Sequence, residues 1–276
     1  MGLFERLAGT LDELTGDRRT AVEAEVAQAR AQAEAGDPTA AEDALDALTR
    51  RSPDAAPAFR ALGELMARRG AFEAAVAPLG RAVDLDGGNA LAWCALGETL
   101  AHLGRAEPAR DALRRTLALA IEPALRARAH AALGQVMAAT GRLTQAAREL
   151  RKAIDLAGAT GADDRLLARD YGRVLDQLGA PDASEWLTRA ARADGAPPAL
   201  FAEAADSLRD DSRAEPLLRE GLERAPDDVA LRAALIRFLL RTGRVHDALP
   251  AAEAACAAAP DDPRAWAALR LASARA

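Results

Sequence analysis

Apolar positions follow a helical period along this chain. In residues 92–105, "AWCALGETLAHLGR", the spacing predicts an amphipathic helix that stops at a glycine. Gly97 stands in the middle of that helix, where alanine would be better by about 1 kcal/mol, so close packing must compensate. Near the start, "GLFERLAGTLDELT" at residues 2–15 puts Leu3, Phe4, Leu7, Leu11 and Leu14 on one helical stripe. Burying five such side chains yields roughly 8–15 kcal/mol gross, and fixing that many backbones costs about as much. This segment therefore needs a surface to fold against, and capping the helices that follow it is the first expectation.

The same pattern returns at a fixed interval. Leu62-Gly63, Leu96-Gly97, Leu133-Gly134 and Tyr171-Gly172 recur 34, 37 and 38 residues apart, each followed seven positions after its glycine by another: Gly70, Gly104, Gly141 and Gly179. Gly36 and Gly243 extend the series. Small residues follow at Ala41, Ala75, Ala109, Ala146, Ala214 and Ala248, and large ones at Leu45, Leu79, Leu113, Leu150 and Leu218, with Ala252 the exception. Pro53, Pro226 and Pro260 fall where a second helix should stop. A period of this size means a solenoid of helical hairpins. Gly97 and its equivalents are expected to let the two helices of a hairpin approach closely, opposite the small alanine. Gly104 and its equivalents are expected to supply the positive φ of the turn.

These residues resemble the tetratricopeptide repeat, whose pattern is W-x2-L-G-x2-Y, then A-x3-F, then P. Trp93 and Trp266 stand at its Trp position, Phe59 and His130 replace it, and Met66, Leu100, Met137, Leu175 and Leu239 hold its Tyr position. The resemblance implies an all-α, right-handed superhelical solenoid of stacked helix-turn-helix hairpins. Its expected parts are an N-terminal amphipathic helix and linker at 1–21, seven repeats from 22 to 262 and a capping helix at 263–276. The repeats fall at 22–55, 56–89, 90–123, 127–160, 165–194, 195–228 and 229–262. The fifth is short and irregular, with Trp186 on its second helix, and is bracketed by "GATGADD" and "DGAPP".

In that family the first helix of each repeat lines a concave surface that holds partner segments. Carried over position by position, the lining is Arg60, Glu64, Arg68, Leu91, Cys94, Glu98, His102, Arg128, Ala131, Gln135, Ala138 and Ala139, then Arg169, Arg173 and Asp176, then Arg237 and Arg241. The apolar and small residues fall in repeats two to four, and later repeats offer mainly charge. The Lys and Asn that clamp C-terminal carboxylates in one branch of the family have no counterpart. Val26 and Arg30, Arg60 and Glu64, and Cys94 and Glu98 stand at those positions.

Composition narrows the alternatives. Alanine is abundant, only nine residues are aromatic, and Lys152 is the sole lysine among 36 basic residues, a bias suggesting a bacterial source. The net charge of -6 is concentrated in residues 1–50, which hold 11 acids and 5 bases, so no basic stripe for nucleic acid appears. Neither a signal peptide nor a transmembrane run is read, which points to the cytoplasm. Cys94 and Cys256 form no CxxC pair, and the pairs Asp163-Asp164, Asp210-Asp211, Asp227-Asp228 and Asp261-Asp262 each precede a helix as caps. No catalytic, phosphate-binding or metal motif occurs. No cofactor, metal or catalytic role is expected. The reading is a non-enzymatic adaptor that binds a peptide or helix of a partner protein in its groove. Two alternatives stay open: recruitment to a membrane surface through Leu3, Phe4, Leu7, Leu11 and Leu14, and service as the regulatory part of a separate catalytic chain. The acids of that first helix weigh against the membrane.

Overall fold

The computed structural model describes residues 3–160, 165–208 and 212–275, with side chains described from residue 16 onward except at 17, 159 and 160. Every regular element among them is helical. The order is α1 (Leu3–Glu34), α2 (Pro38–Arg51), α3 (Ala56–Arg68), α4 (Phe72–Leu85), α5 (Ala90–His102), α6 (Ala106–Leu119) and α7 (Pro123–Ala139). There follow α8 (Leu143–Thr160), α9 (Arg165–Gln177), α10 (Ala183–Arg192), α11 (Ala199–Leu208), α12 (Ala214–Arg224), α13 (Val229–Arg241), α14 (Val245–Ala258) and α15 (Pro263–Ser273). They gather into two compact units, Met1–Thr140 and Gly141–Ala276.

In the N-terminal unit each helix packs on the next, and α1, α3, α5 and α7 also touch in turn to form one continuous row. The core lies between this row and α2, α4 and α6. Leu45, Leu79 and Leu113 are fully buried there beside Ala41, Ala75 and Ala109. In the C-terminal unit α11, α13 and α15 make the corresponding row, over a core that includes Leu187, Phe201, Leu218, Leu231 and Ile236.

Gly97 answers to the close approach, with a different neighbour from the one expected. A Cβ there would stand 2.7 Å from Leu113 Cγ and 3.2 Å from Leu113 N. The helix crossing is thus filled by the branched leucine four residues beyond Ala109, and the absent Cβ makes room for it. Gly63 against Leu79 and Gly172 against Leu187 repeat the arrangement at 2.5 and 2.8 Å, and at Gly63 the carbonyl oxygen of the expected alanine, Ala75, also stands 3.2 Å away. At the turn, Gly104 has φ 70°. Its N–H donates to Ala101 O (3.0 Å) and the N–H of Arg105 to Leu100 O (2.9 Å), the paired bonds that close a helix C-terminus on a left-handed residue.

Side chains fix the other ends. Asp228 and Asp262 accept from Leu231 N and Arg264 N at 2.8 and 2.7 Å, so the acids of these two pairs cap helices. Asp163-Asp164 and Asp210-Asp211 lie outside the described residues. Trp93 and Trp266 each donate an indole N–H to the carbonyl six residues back, Gly87 O at 3.0 Å and Pro260 O at 2.6 Å, pinning the link into their helix. Trp186 instead meets Tyr171 edge-on at 5.1 Å, with the guanidinium groups of Arg151 and Arg189 over its ring at 5.7 and 5.3 Å.

One boundary differs from expectation. The linker placed before residue 22 is helical, and α1 runs unbroken from Leu3 to Glu34. A lone glycine at position 16 costs about 1 kcal/mol, too little to end a helix that carries no proline, and Thr20 Oγ1 donates to Gly16 O at 2.9 Å. The stripe Leu3, Phe4, Leu7, Leu11 and Leu14 lies outside the residues whose side chains are described.

Candidate functional site

On the row formed by α1, α3, α5 and α7, residues one repeat apart become neighbours. Arg30 donates to Glu64 at 2.8 Å and Arg60 to the other oxygen of the same carboxylate at 3.3 Å. Arg128 grips Glu98 with two nitrogens, at 2.6 and 2.5 Å. These hydrogen bonds to Glu98 hold the Arg128 guanidinium above its ordinary value, against the opposing effect of burial. Four of the charges read as groove residues, Arg60, Glu64, Glu98 and Arg128, are therefore spent on one another. Arg68 is exposed and has no ion-pair partner among the described residues.

Two adjoining hollows open on this face and share Glu98, His102 and Arg128. One, of about 520 Å³, is walled by Ala101, Ala131, Ala132, Gln135, Val136 and Ala139. The other, of about 300 Å³, is walled by Glu64, Ala67, Arg68, Phe72, Ala95 and Thr99. His102 lies flat on Phe72, centroids 4.3 Å apart and planes 11° apart, making an aromatic plate in the second hollow. Small side chains leave the volume, and long arginines border it.

Not every expected residue faces this space. Cys94 is fully buried beside Ala120 and Leu125, which fold over it from the link after α6 and from the first turn of α7, so it is no lining residue. Burial, and next the Glu98 carboxylate, pushes its thiol up to about 12 from 9.0. Leu91 is 43% exposed and lines neither hollow. Arg60 is half-buried beneath Glu64. Arg169 and Arg173 belong to the C-terminal unit, where Arg169 pairs with Asp170 at 2.7 Å and Arg173 Nη2 with Glu203 at 2.7 Å. Glu203 raises the Arg173 guanidinium in turn.

The C-terminal unit carries a surface that the reading of mainly charged later repeats did not foresee. Ala199, Ala202, Ala230, Ala233, Ala267, Ala268 and Leu271 wall a hollow of about 390 Å³, with Arg237 and Arg264 its only charged residues. Most of these stand at the inner positions already used for the earlier repeats. Carrying that register on through α13 and into α15 finds Ala230, Ala233, Arg264, Ala267 and Leu271 in the sequence alone. Arg237 and Arg241 share Asp206 at 3.8 and 4.0 Å.

No curated protein matches the chain. Among solved structures, the pilF protein of Pseudomonas aeruginosa aligns with a TM-score of 0.60 at 20% identity, over 80% of this chain and 97% of that one. A tetratricopeptide repeat protein from Parabacteroides merdae aligns with a TM-score of 0.60 at 15% identity, over 92% and 99%. A chain of the APC/C hetero-tetramer Cut9-Hcn1 gives 0.55 at 17% identity, and this chain spans 42% of its length. At such identities the likeness shows the fold, that of tetratricopeptide solenoids. Two tetratricopeptide repeat models match the sequence itself, at residues 26–90 and 212–272. Those matches lie in different compact units, over the same glycine, alanine and leucine positions that close the hairpins, and they identify the chain as a tetratricopeptide repeat protein, a scaffold for protein–protein interaction.

Proposed function

We propose that the inner face of the N-terminal unit holds a segment of a partner protein and that the chain acts as a non-enzymatic adaptor. The observation that carries this reading is the pair of adjoining hollows around Glu98, His102 and Arg128. An apolar side chain of the partner fits the larger hollow against Ala101, Ala131, Val136 and Ala139. The surrounding row bears Arg30, Arg60, Arg68 and Arg128 against Glu64 and Glu98, an excess of two positive charges that favours an acidic partner segment. Arg68 is the cation left over to meet a carboxylate. Phe72 and His102 offer a flat surface between the two contacts. The bonds from Arg128 to Glu98 brace the wall, so the groove is formed before the partner arrives and little ordering cost is left to binding.

The test is affinity capture from the native cell with the whole chain and with Ala131→Arg. Ala131 is half-buried at the hollow. An arginine there fills the space and adds an uncompensated charge while the helix core stays intact. Partner capture is expected to be lost with the melting temperature nearly unchanged. An unaltered set of captured proteins in Ala131→Arg refutes this groove.

A further inference from the structure

The larger hollow of the N-terminal face discriminates among apolar side chains. We propose, on the reading that this groove holds a partner segment, that the segment anchors there with an aromatic ring stacked on His102 and sets an acid on Arg68.

Stacking supplies the ring site. His102 ends α5 and lies on Phe72 of α4, with centroids 4.3 Å apart and planes 11° apart. Phe72 borders the smaller hollow alone, whereas His102 borders both. The imidazole thus rests one face on the phenyl ring and turns the other toward the larger hollow. His102 is exposed, yet the stack fixes its plane before any ligand arrives, so little ordering cost attends binding. Ala101, Ala131, Ala132 and Ala139 leave about 520 Å³ beside that open face. An aliphatic side chain would gain only burial there. A ring also gains an offset stack on the imidazole, and the Arg128 guanidinium, which borders the same hollow, adds its attraction for an aromatic face. Glu98, the carboxylate of this hollow, is held by Arg128 at 2.6 Å and so does not repel the electron-rich face of the ring.

Register supplies the acid. Arg68, His102 and Ala139 are the thirteenth residues of successive repeats, on α3, α5 and α7, which touch in turn. A cation, an aromatic plate and a small residue therefore succeed one another along the row. Arg68 is exposed and has no ion-pair partner among the described residues. Neighbouring helix axes stand about 8–10 Å apart and an extended segment advances about 3.3 Å per residue, so an acid about three residues from the ring reaches Arg68. An arginine of the partner could also stack on His102, but it would meet Arg68 and Arg128, and the charge of the row excludes it.

Capped peptides bound to the full-length chain test this. The probes are acetyl-Trp-Ser-Ser-Asp-amide, the same peptide with Leu in place of Trp, and the same peptide with Asn in place of Asp. Binding is followed by NMR through the histidine ring C–H signals, the one that vanishes in His102→Gln belonging to His102. The peptide with both Trp and Asp is expected to move that signal upfield, as a ring stacked above it does, and to bind about tenfold more tightly than the Leu peptide. His102→Ala, at an exposed position, should reduce that preference to about twofold with the helical circular dichroism unchanged. Arg68→Gln should likewise remove the preference for Asp over Asn. A Leu peptide that binds as tightly as the Trp peptide, with both lost in Ala131→Arg, overturns the aromatic anchor and leaves the groove standing. A tenfold preference for Trp that survives His102→Ala overturns it too, as does a His102 signal that no peptide moves, and capture with Ala131→Arg then decides the groove separately.

Discussion

The two inner faces differ at equivalent positions. The fifth residue of successive repeats is Arg60, Cys94 and Ala131 in the N-terminal unit, but Arg169, Ala199 and Ala233 in the C-terminal unit, with Ala267 at the same place in α15. The ninth is Glu64, Glu98 and Gln135 in one, and Arg173, Glu203, Arg237 and Leu271 in the other. One face is thus a groove bordered by arginines, two of whose carboxylates, Glu64 and Glu98, are held by Arg30, Arg60 and Arg128, and the other an alanine floor with two arginines. The residues that hold both together, such as Gly97 with Leu113 and Gly172 with Leu187, are equivalent and point away from either face. The positions that line the faces and those that close the hairpins are different positions of one repeat, so the first can vary with little cost to the second.

Breaking the shared scaffold should therefore cost both units alike, and by the most. Gly97→Leu and Gly172→Leu each drive a side chain into a leucine that a single Cβ would already crowd, at 2.7 and 2.8 Å. Each should lose more stability than the about 1–3 kcal/mol usual for overpacking, measured by urea unfolding. A variant that unfolds like wild type would refute the close packing of its hairpin.

Acid–base behaviour separates the two units next. The Cys94 thiol titrates at about 12 in the folded chain against an ordinary 9.0. Between those values the unfolded chain releases its proton and the folded chain keeps it, so the contribution of this thiol to stability is constant below about pH 9 and falls above it, by up to about 1.4 kcal/mol per pH unit. Comparing urea midpoints at about pH 8 and about pH 10, this slope should disappear in Cys94→Ala, and equal slopes in both proteins would exclude it.

Smaller effects follow from the ion pairs. Glu64→Gln leaves Arg30 and Arg60 facing each other without their shared carboxylate, in a site where the Nε atoms of both are buried and unbonded. About 1–2 kcal/mol should be lost. Glu203→Gln removes the partner of Arg173, whose side chain is 47% exposed, and at most about 0.5 kcal/mol should follow. If the two substitutions cost the same in thermal melts, the distinction drawn between a braced groove and an open floor has no energetic basis.

The hairpins were legible because each is closed by residues local to one period, such as Gly63, Ala75 and Leu79. What escaped depends on neighbours a repeat away. Nothing in "AWCALG" tells that Ala120 and Leu125 close over Cys94, or that Arg128 settles on Glu98, since stacking sets those distances. Within one hairpin the pattern offers both a small residue, Ala109, and a large one, Leu113, opposite Gly97, and only the side-chain packing shows that Leu113 fills the crossing. The continuity of α1 escaped because a glycine and a run of charge before Thr20 look like a boundary in one dimension. The alanine floor was passed over because alanine is common everywhere in this sequence, and only the register into α15 distinguishes those that share a hollow.

The indole bonds of Trp93 and Trp266 to loop carbonyls have an optical consequence. Trp93 is the sole tryptophan of the N-terminal unit, and Trp186 and Trp266 both belong to the C-terminal one. A chain carrying Trp186→Phe and Trp266→Phe would emit from the N-terminal unit alone, and its fluorescence would follow the loosening of the link at Gly87 without any attached dye. The complementary Trp93→Phe chain would report the other unit. Together they would show whether the two halves melt in one step or in sequence.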